Sequence, residues 1–169
     1  QFGGLYLRAA WPGFYGLTAE WSPLDPALGL GWGAVGLRGF FLMEGAATPD
    51  AYALAAVQLP AVALAVLIPT LALARRVSRG VLIGVAAVLG GLLYPLAGNW
   101  VWGGGWLALL GLNLQWGHGF VDLGGSVTLH VLGASAALAG ILIFGRKGAL
   151  VLPAAPAELP PVHFPMFLL

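Results

Sequence analysis

An all-α integral membrane protein is the fold class this sequence predicts, on three observations. The 169 residues are 60% apolar and only 8% charged, against roughly 25% charged in ordinary globular domains, and mean hydropathy is +0.92. Among the charges, Arg75, Arg76 and Arg79 form one cluster and Arg146 with Lys147 a second, while most others are scattered singly. Around and between these clusters lie apolar runs of the length a helix needs to cross a bilayer, about 20 residues. A net charge of +1 with no basic face argues against nucleic-acid binding. The absence of cysteine excludes disulfides and thiolate metal sites and leaves the redox compartment open. No signal peptide is visible.

Residues 1–26 hold Arg8, Glu20, Asp25 and three prolines among aromatics, a composition that predicts an extramembrane or interfacial segment. Residues 27–47 form a short, Gly-rich apolar run, expected as a first span although it carries Arg38 and Glu44, six residues apart and so not facing one another across a helix turn. From Ala51 to Ala74 twenty-four residues pass without a charge, ending against the first arginine cluster; this predicts a span over 51–74, kinked at Pro60 and Pro69. A further span is expected over 80–98. It closes at Trp100, Trp102 and Trp106, which suit an interfacial belt.

Gly103-Gly104-Gly105 breaks a regular helix, and residues 106–117 are too short to cross, so 99–121 is expected to be a loop folded back at the membrane surface. The next span is expected over 122–144. Residues 148–163 hold four prolines and predict a linker, and Phe164–Leu169 reads as the opening of another, unfinished span. With Gln1 at its start and that run at its end, the chain is expected to be part of a longer protein, the alternative being a processed or degenerate short gene. The two basic clusters fall on one side, which the positive-inside rule makes cytoplasmic, so Trp100 to Asp122 faces outward.

The candidate chemistry lies in Asp122-Leu-Gly-Gly-Ser126-Val-Thr-Leu-His130, because nothing else ionises between Asp122 and Arg146. A charge in an apolar helix costs roughly 2.5 to 3.5 kcal/mol on insertion scales, so such residues usually serve a pathway. On a continuous helix, 122, 126 and 130 share nearly one face, and a rise of 1.5 Å per residue spreads them over about 12 Å, a polar stripe from the outer mouth inward. Asp122 reads equally as a helix cap accepting free backbone N–H groups. His130 reads as a pathway imidazole, or as one bonded to a facing helix. Ser126 could be packing, a pore hydroxyl or a backbone hydrogen-bonder. Trp102 is either an interfacial anchor or an aromatic face offered to a small cation, a contact of about 0.5 to 2 kcal/mol. Gly133, Ala136, Ala137 and Gly140 give the small-residue spacing of close helix packing. His118, between glycines, reads as an exposed loop residue, and His163 lies in the linker. No histidine or carboxylate pair has metal-ligand spacing, and no Walker, dinucleotide or nucleophile-elbow motif is present. Neither an enzyme nor a cofactor is expected.

Three runs carry a resemblance: Tyr94-Pro-Leu-Ala-Gly-Asn-Trp-Val-Trp102-Gly-Gly-Gly-Trp-Leu-Ala108, Gly117-His-Gly-Phe-Val-Asp122 through His130, and Ala137-Leu-Ala-Gly140 to Gly145-Arg-Lys147. Together they resemble the ammonium transporter (Amt/Rh) family, with weaker likeness at Gly39–Leu42 and Pro161–Met166. The resemblance implies an eleven-helix, homotrimeric channel-like transporter with inverted repeats in the cell (inner or plasma) membrane, of which this chain supplies roughly the second to fifth helices and the start of the sixth. It implies that Trp102 and Asp122 belong to an outer ammonium-recruiting site and that His130 is the first of two pore histidines, the second lying on a helix outside this chain. Trp102 favours the ammonium-transporter branch over the Rh branch. Implied partners are ammonium or ammonia, the lipid bilayer and a cytoplasmic nitrogen-regulatory protein. Departures from the pattern are Ala61 where an aromatic gate is expected, Leu123 in place of an aromatic residue, and Arg75-Arg76 where an acidic-basic pair is usual. Three functions follow: transport, with the cation recruited at the outer mouth and conducted as ammonia with a separate proton; ammonium sensing, with a signalling domain past Leu169; and an inactive remnant.

Overall fold

The computed structural model describes residues 20–28, 32–43 and 48–144. The expectations for residues 1–19 and 145–169, including the second basic cluster, the Pro-rich linker and the opening of a further span, lie outside the described residues. The chain is built from β1 (Glu20–Trp21), α1 (Asp25–Leu28), β2 (Val35–Gly36), a 3-10 turn at Phe40–Leu42, α2 (Pro49–Leu73), α3 (Arg79–Val88), a π-helical segment Leu89–Leu93, α4 (Tyr94–Val101), α5 (Trp106–Asn113), a second π-helical segment Ser126–Val131 and α6 (Leu132–Phe144). It is predominantly helical, and three helical stretches among the described residues are long and apolar enough to cross a membrane: Pro49–Leu73, Arg79–Asn113 and Ser126–Phe144.

Helix α2 starts where Thr48 accepts the Ala51 N–H on its side-chain oxygen and Pro49 presets the first helical φ. It runs unbroken for 25 residues through both Pro60 and Pro69, about 37 Å at 1.5 Å per residue. Pro69 has no N–H to give to the carbonyl four residues back, that of Ala65. That carbonyl instead meets α6 at Gly133, where a Cβ would lie 2.8 Å from it. The turn is steadied further by the Thr70 hydroxyl, which donates to the Val66 carbonyl at 2.9 Å and the Leu67 carbonyl at 3.0 Å. Gly133, Ala137 and Gly140 are the buried side of α6, and they receive Ala65, Pro69 and Leu73, the buried side of α2. The small-residue spacing is thus a helix seam. Replacing Gly133 with alanine places a methyl 2.8 Å from the Ala65 oxygen and 2.9 Å from Ile68 Cδ1, and is expected to cost about 1 to 3 kcal/mol as the helices part. Thermal unfolding in detergent measures this; an unchanged midpoint would remove the seam's energetic importance.

The span expected over 27–47 does not form in its described part. Residues 32–43 hold a two-residue strand paired antiparallel with Glu20–Trp21 and a 3-10 turn. The reason is backbone geometry: Gly39, Phe41 and Leu42 all take positive φ, which a continuous right-handed helix cannot accommodate. Hydropathy alone could not reveal that.

The stretch expected over 80–98 is helical from Arg79 to Val101 and stops where the glycine triplet predicts. The break is packed: Gly103, Gly104 and Gly105 are buried, the Gly105 N–H returns to the Asn99 carbonyl at 2.9 Å, and the Trp106 N–H reaches the Gly33 carbonyl at 3.0 Å. A Cβ on Gly105 would sit 2.7 Å from both the Asn99 and Gly33 oxygens, so only glycine lets these backbones meet. Trp100, expected as a belt residue, donates its indole N–H to the Ala34 carbonyl at 2.7 Å and meets the Trp106 ring edge-on. Within the region expected to be loop, 106–113 is a helix of two turns, and the chain then reverses and returns along it.

Candidate functional site

The site is assembled where α4, the glycine break and the start of the last span converge. Its floor is a small core of Ala65, Tyr94 and Leu129, against which Ala61, Val62, Trp102 and Leu132 pack. Tyr94 is almost fully buried, 1% exposed, and its hydroxyl donates to Gln58 Oε1 at 2.6 Å. That bond fastens α4 to α2 beneath Trp102. Trp102, which caps the C-terminal end of α4, donates its indole N–H to the Asp122 backbone carbonyl at 2.9 Å.

Asp122 does not occupy the first turn of a helix. It lies four residues ahead of the π-helical start at Ser126, separated from it by Gly125 in the left-handed conformation. The carboxylate folds back over the helix end: its Oδ2 accepts the Thr128 N–H at 2.9 Å and the Thr128 hydroxyl at 2.8 Å. Asp122 is only 9% exposed. Burial opposes its ionisation, but the Thr128 N–H and hydroxyl and the backbone N–H groups of Val127 and Ser126 outweigh it and hold the carboxyl below its ordinary value. The carboxylate is therefore an N-terminal cap placed by a glycine turn.

This corrects the expected stripe. Ser126 and His130 are exposed, whereas Asp122 turns inward with Thr128 and Leu129. The physical reason lies in Leu123-Gly-Gly125: positive φ at Gly125 ends the helical register before it reaches Asp122. Beyond it the segment closes in π fashion, with the His130 N–H directed to the Gly125 carbonyl at 3.4 Å. What connects Asp122 to His130 is thus one capped turn of backbone.

The structure brings Trp102 and Asp122 together on an open cleft of about 630 Å³, also lined by Ala108, Leu112, His118 and Phe120. His130 and Ser126 are not part of that lining. Thr128 and the Tyr94–Gln58 pair are site residues that pattern reasoning missed. A signal for Thr128 existed, since an acid, two glycines and then hydroxyl residues at a helix start is a capping arrangement. None existed for Tyr94–Gln58, 36 residues apart in the chain. Among the described residues no group of three His, Cys, Asp or Glu could hold a metal ion.

The Ammonium Transporter Family, as a family model, matches residues 27–169. The chain is similar to ammonium transporter Amt2 of Archaeoglobus fulgidus, 32% identical over 123 residues covering 71% of this chain and 26% of that protein. It is also similar to ammonium transporter 1 member 1 of Solanum lycopersicum, 35% identical over 63 residues, 37% of this chain and 13% of that protein. The matched part of the chain thus spans about a quarter or less of the length of these relatives. No solved structure is a significant match.

Proposed function

This chain belongs to the ammonium transporter family, and from that premise we propose that it forms the recruiting mouth and first half of a route carrying ammonium across a membrane. Family membership and three apolar helices make it a multi-pass membrane protein. We assign the cell membrane as its location, with the Arg75–Arg79 turn cytoplasmic and the Trp102 cleft outside. A homotrimer, inverted repeats of an eleven-helix fold and a cytoplasmic nitrogen-regulatory partner belong to the same proposal and rest on the family resemblance.

The observation that carries the reading is the Trp102–Asp122 contact, because it ties the cation-binding aromatic to the same short turn that launches His130. At the mouth, Trp102 offers a ring to a hydrated cation, worth about 0.5 to 2 kcal/mol. The ionised Asp122 adds negative potential to the cleft while its oxygens remain committed to the helix end, so its contribution is positional and long-range. A bare ammonium ion in a hydrocarbon channel is prohibitively costly, whereas neutral ammonia is not. In this reading the ammonium N–H bond breaks at His130: a lone pair of the neutral imidazole takes the proton, neutral ammonia continues inward, and the proton leaves the ring separately.

The test is methylammonium uptake by the intact protein in proteoliposomes. Uptake above empty vesicles supports the reading and its absence overturns it. In the same assay Trp102→Leu is expected to raise KM about fivefold, the loss of roughly 1 kcal/mol, with the maximal rate little changed. A KM equal to wild type would return Trp102 to the role of an interfacial anchor.

A further inference from the structure

The recruiting cleft contains a side chain that neither the cap nor the ring explains. His118 is exposed and lines the cleft with Trp102 and Asp122. Its loop is closed onto α5: the Trp116 N–H donates to the Gly111 carbonyl at 2.7 Å, and the Phe120 N–H to the Leu107 carbonyl at 3.0 Å. Two glycines let the returning chain touch the helix, for a Cβ on Gly111 would run into the His118 carbonyl and one on Gly119 into the Ala108 carbonyl. The backbone on both sides of His118 is therefore held in place.

Within that frame the imidazole Nδ1 lies 2.9 Å from the Gly119 carbonyl oxygen. A carbonyl oxygen only accepts, so in the neutral ring the proton sits on Nδ1 and Nε2 carries a bare lone pair. Among the described residues the same cleft has Asp122 as its one carboxylate and no lysine or arginine in its lining. A lone-pair acceptor beside an aromatic ring, in a field set by a carboxylate, selects a small cation that donates N–H bonds. Resting on the transport reading above, we propose that His118 is a second recruiting group, accepting a hydrogen bond from ammonium through Nε2 in the cleft it shares with Trp102.

The measurement is the KM and maximal rate of methylammonium uptake by the intact protein in proteoliposomes, for wild type and three variants whose thermal unfolding matches it. His118→Leu removes the acceptor and is expected to raise KM about fivefold at unchanged maximal rate. His118→Arg adds a fixed positive charge and is expected to raise it further. His118→Gln keeps an amide oxygen acceptor and is expected to stay within about twofold of wild type. Wild-type KM in all three variants, or an equal rise in all three, overturns the assignment while leaving transport intact. If wild type itself takes up no methylammonium, the transport reading fails and this inference falls with it.

Discussion

Replacing Asp122 with alanine is expected to cost about 2 to 4 kcal/mol and to abolish uptake, the largest combined effect of any single change in the site. The estimate follows from the number of groups left without a partner. The Thr128 N–H and hydroxyl lose their acceptor, and the first turn of the span loses its only anionic cap among the described residues; hydrogen bonds to a charged acceptor contribute about 1.5 to 3 kcal/mol each, and caps about 0.5 to 2. With the turn loosened, the Asp122 carbonyl no longer holds the Trp102 indole, and the π-helical segment carrying His130 loses its fixed start. Asp122→Asn retains one acceptor without the charge and is expected to fall between wild type and alanine. Acid adds an independent check. Because the folded carboxyl titrates below its ordinary value, its stabilisation is fully present above the unfolded value of about 3.9, and is lost as pH falls through the lower folded value. Chemical unfolding in detergent across that range should therefore show the difference between wild type and Asp122→Asn shrinking in strong acid. A difference that stays constant with pH would contradict the cap.

His130→Ala is expected to show the opposite balance. The side chain is exposed and lies outside the core cluster, so stability should change by less than about 0.5 kcal/mol. Methylammonium uptake, by contrast, is expected to fall by about 100-fold or more, the scale of losing a positioned proton acceptor. Uptake and ion selectivity equal to wild type would remove His130 from the route. The pair of experiments separates two proposed jobs that lie only eight residues apart: Asp122 in building the turn, and His130 in serving the passage. Sequence periodicity alone had merged them into one stripe.

That merger shows where pattern reasoning stops. The two long spans were legible because an uncharged run of bilayer length is nearly one-dimensional information: only helices satisfy every backbone group in lipid. The helix from Pro49 to Leu73 starts and stops within two residues of the hydropathy boundary. The small-residue seam on α6 was legible for a similar reason, since residues without bulk have few uses other than close approach. By contrast, the register of Asp122 depends on one dihedral sign at Gly125, and the failure of residues 32–43 to form a helix depends on three more at Gly39, Phe41 and Leu42. Composition is indifferent to the sign of φ when glycine is present. The helix at 106–113 was missed because it is too short to cross a bilayer and is held by backbone bonds to Gly33, Trp116 and Phe120 rather than by its own periodicity.

The sequence by itself determined the membrane class, the family, and the long uncharged helix that ends at the arginine cluster. These are properties of composition and spacing, which burial in lipid converts directly into structure. Tertiary structure alone decided which atoms of the site residues do what. It turned the Asp122 carboxylate inward to Thr128, gave its carbonyl to Trp102, left His130 outward, and closed the His118 loop onto α5. Each of these outcomes depends on the direction a hydrogen-bonding group takes at a glycine turn, and that direction exists only once the packed helices leave the group a single partner within reach.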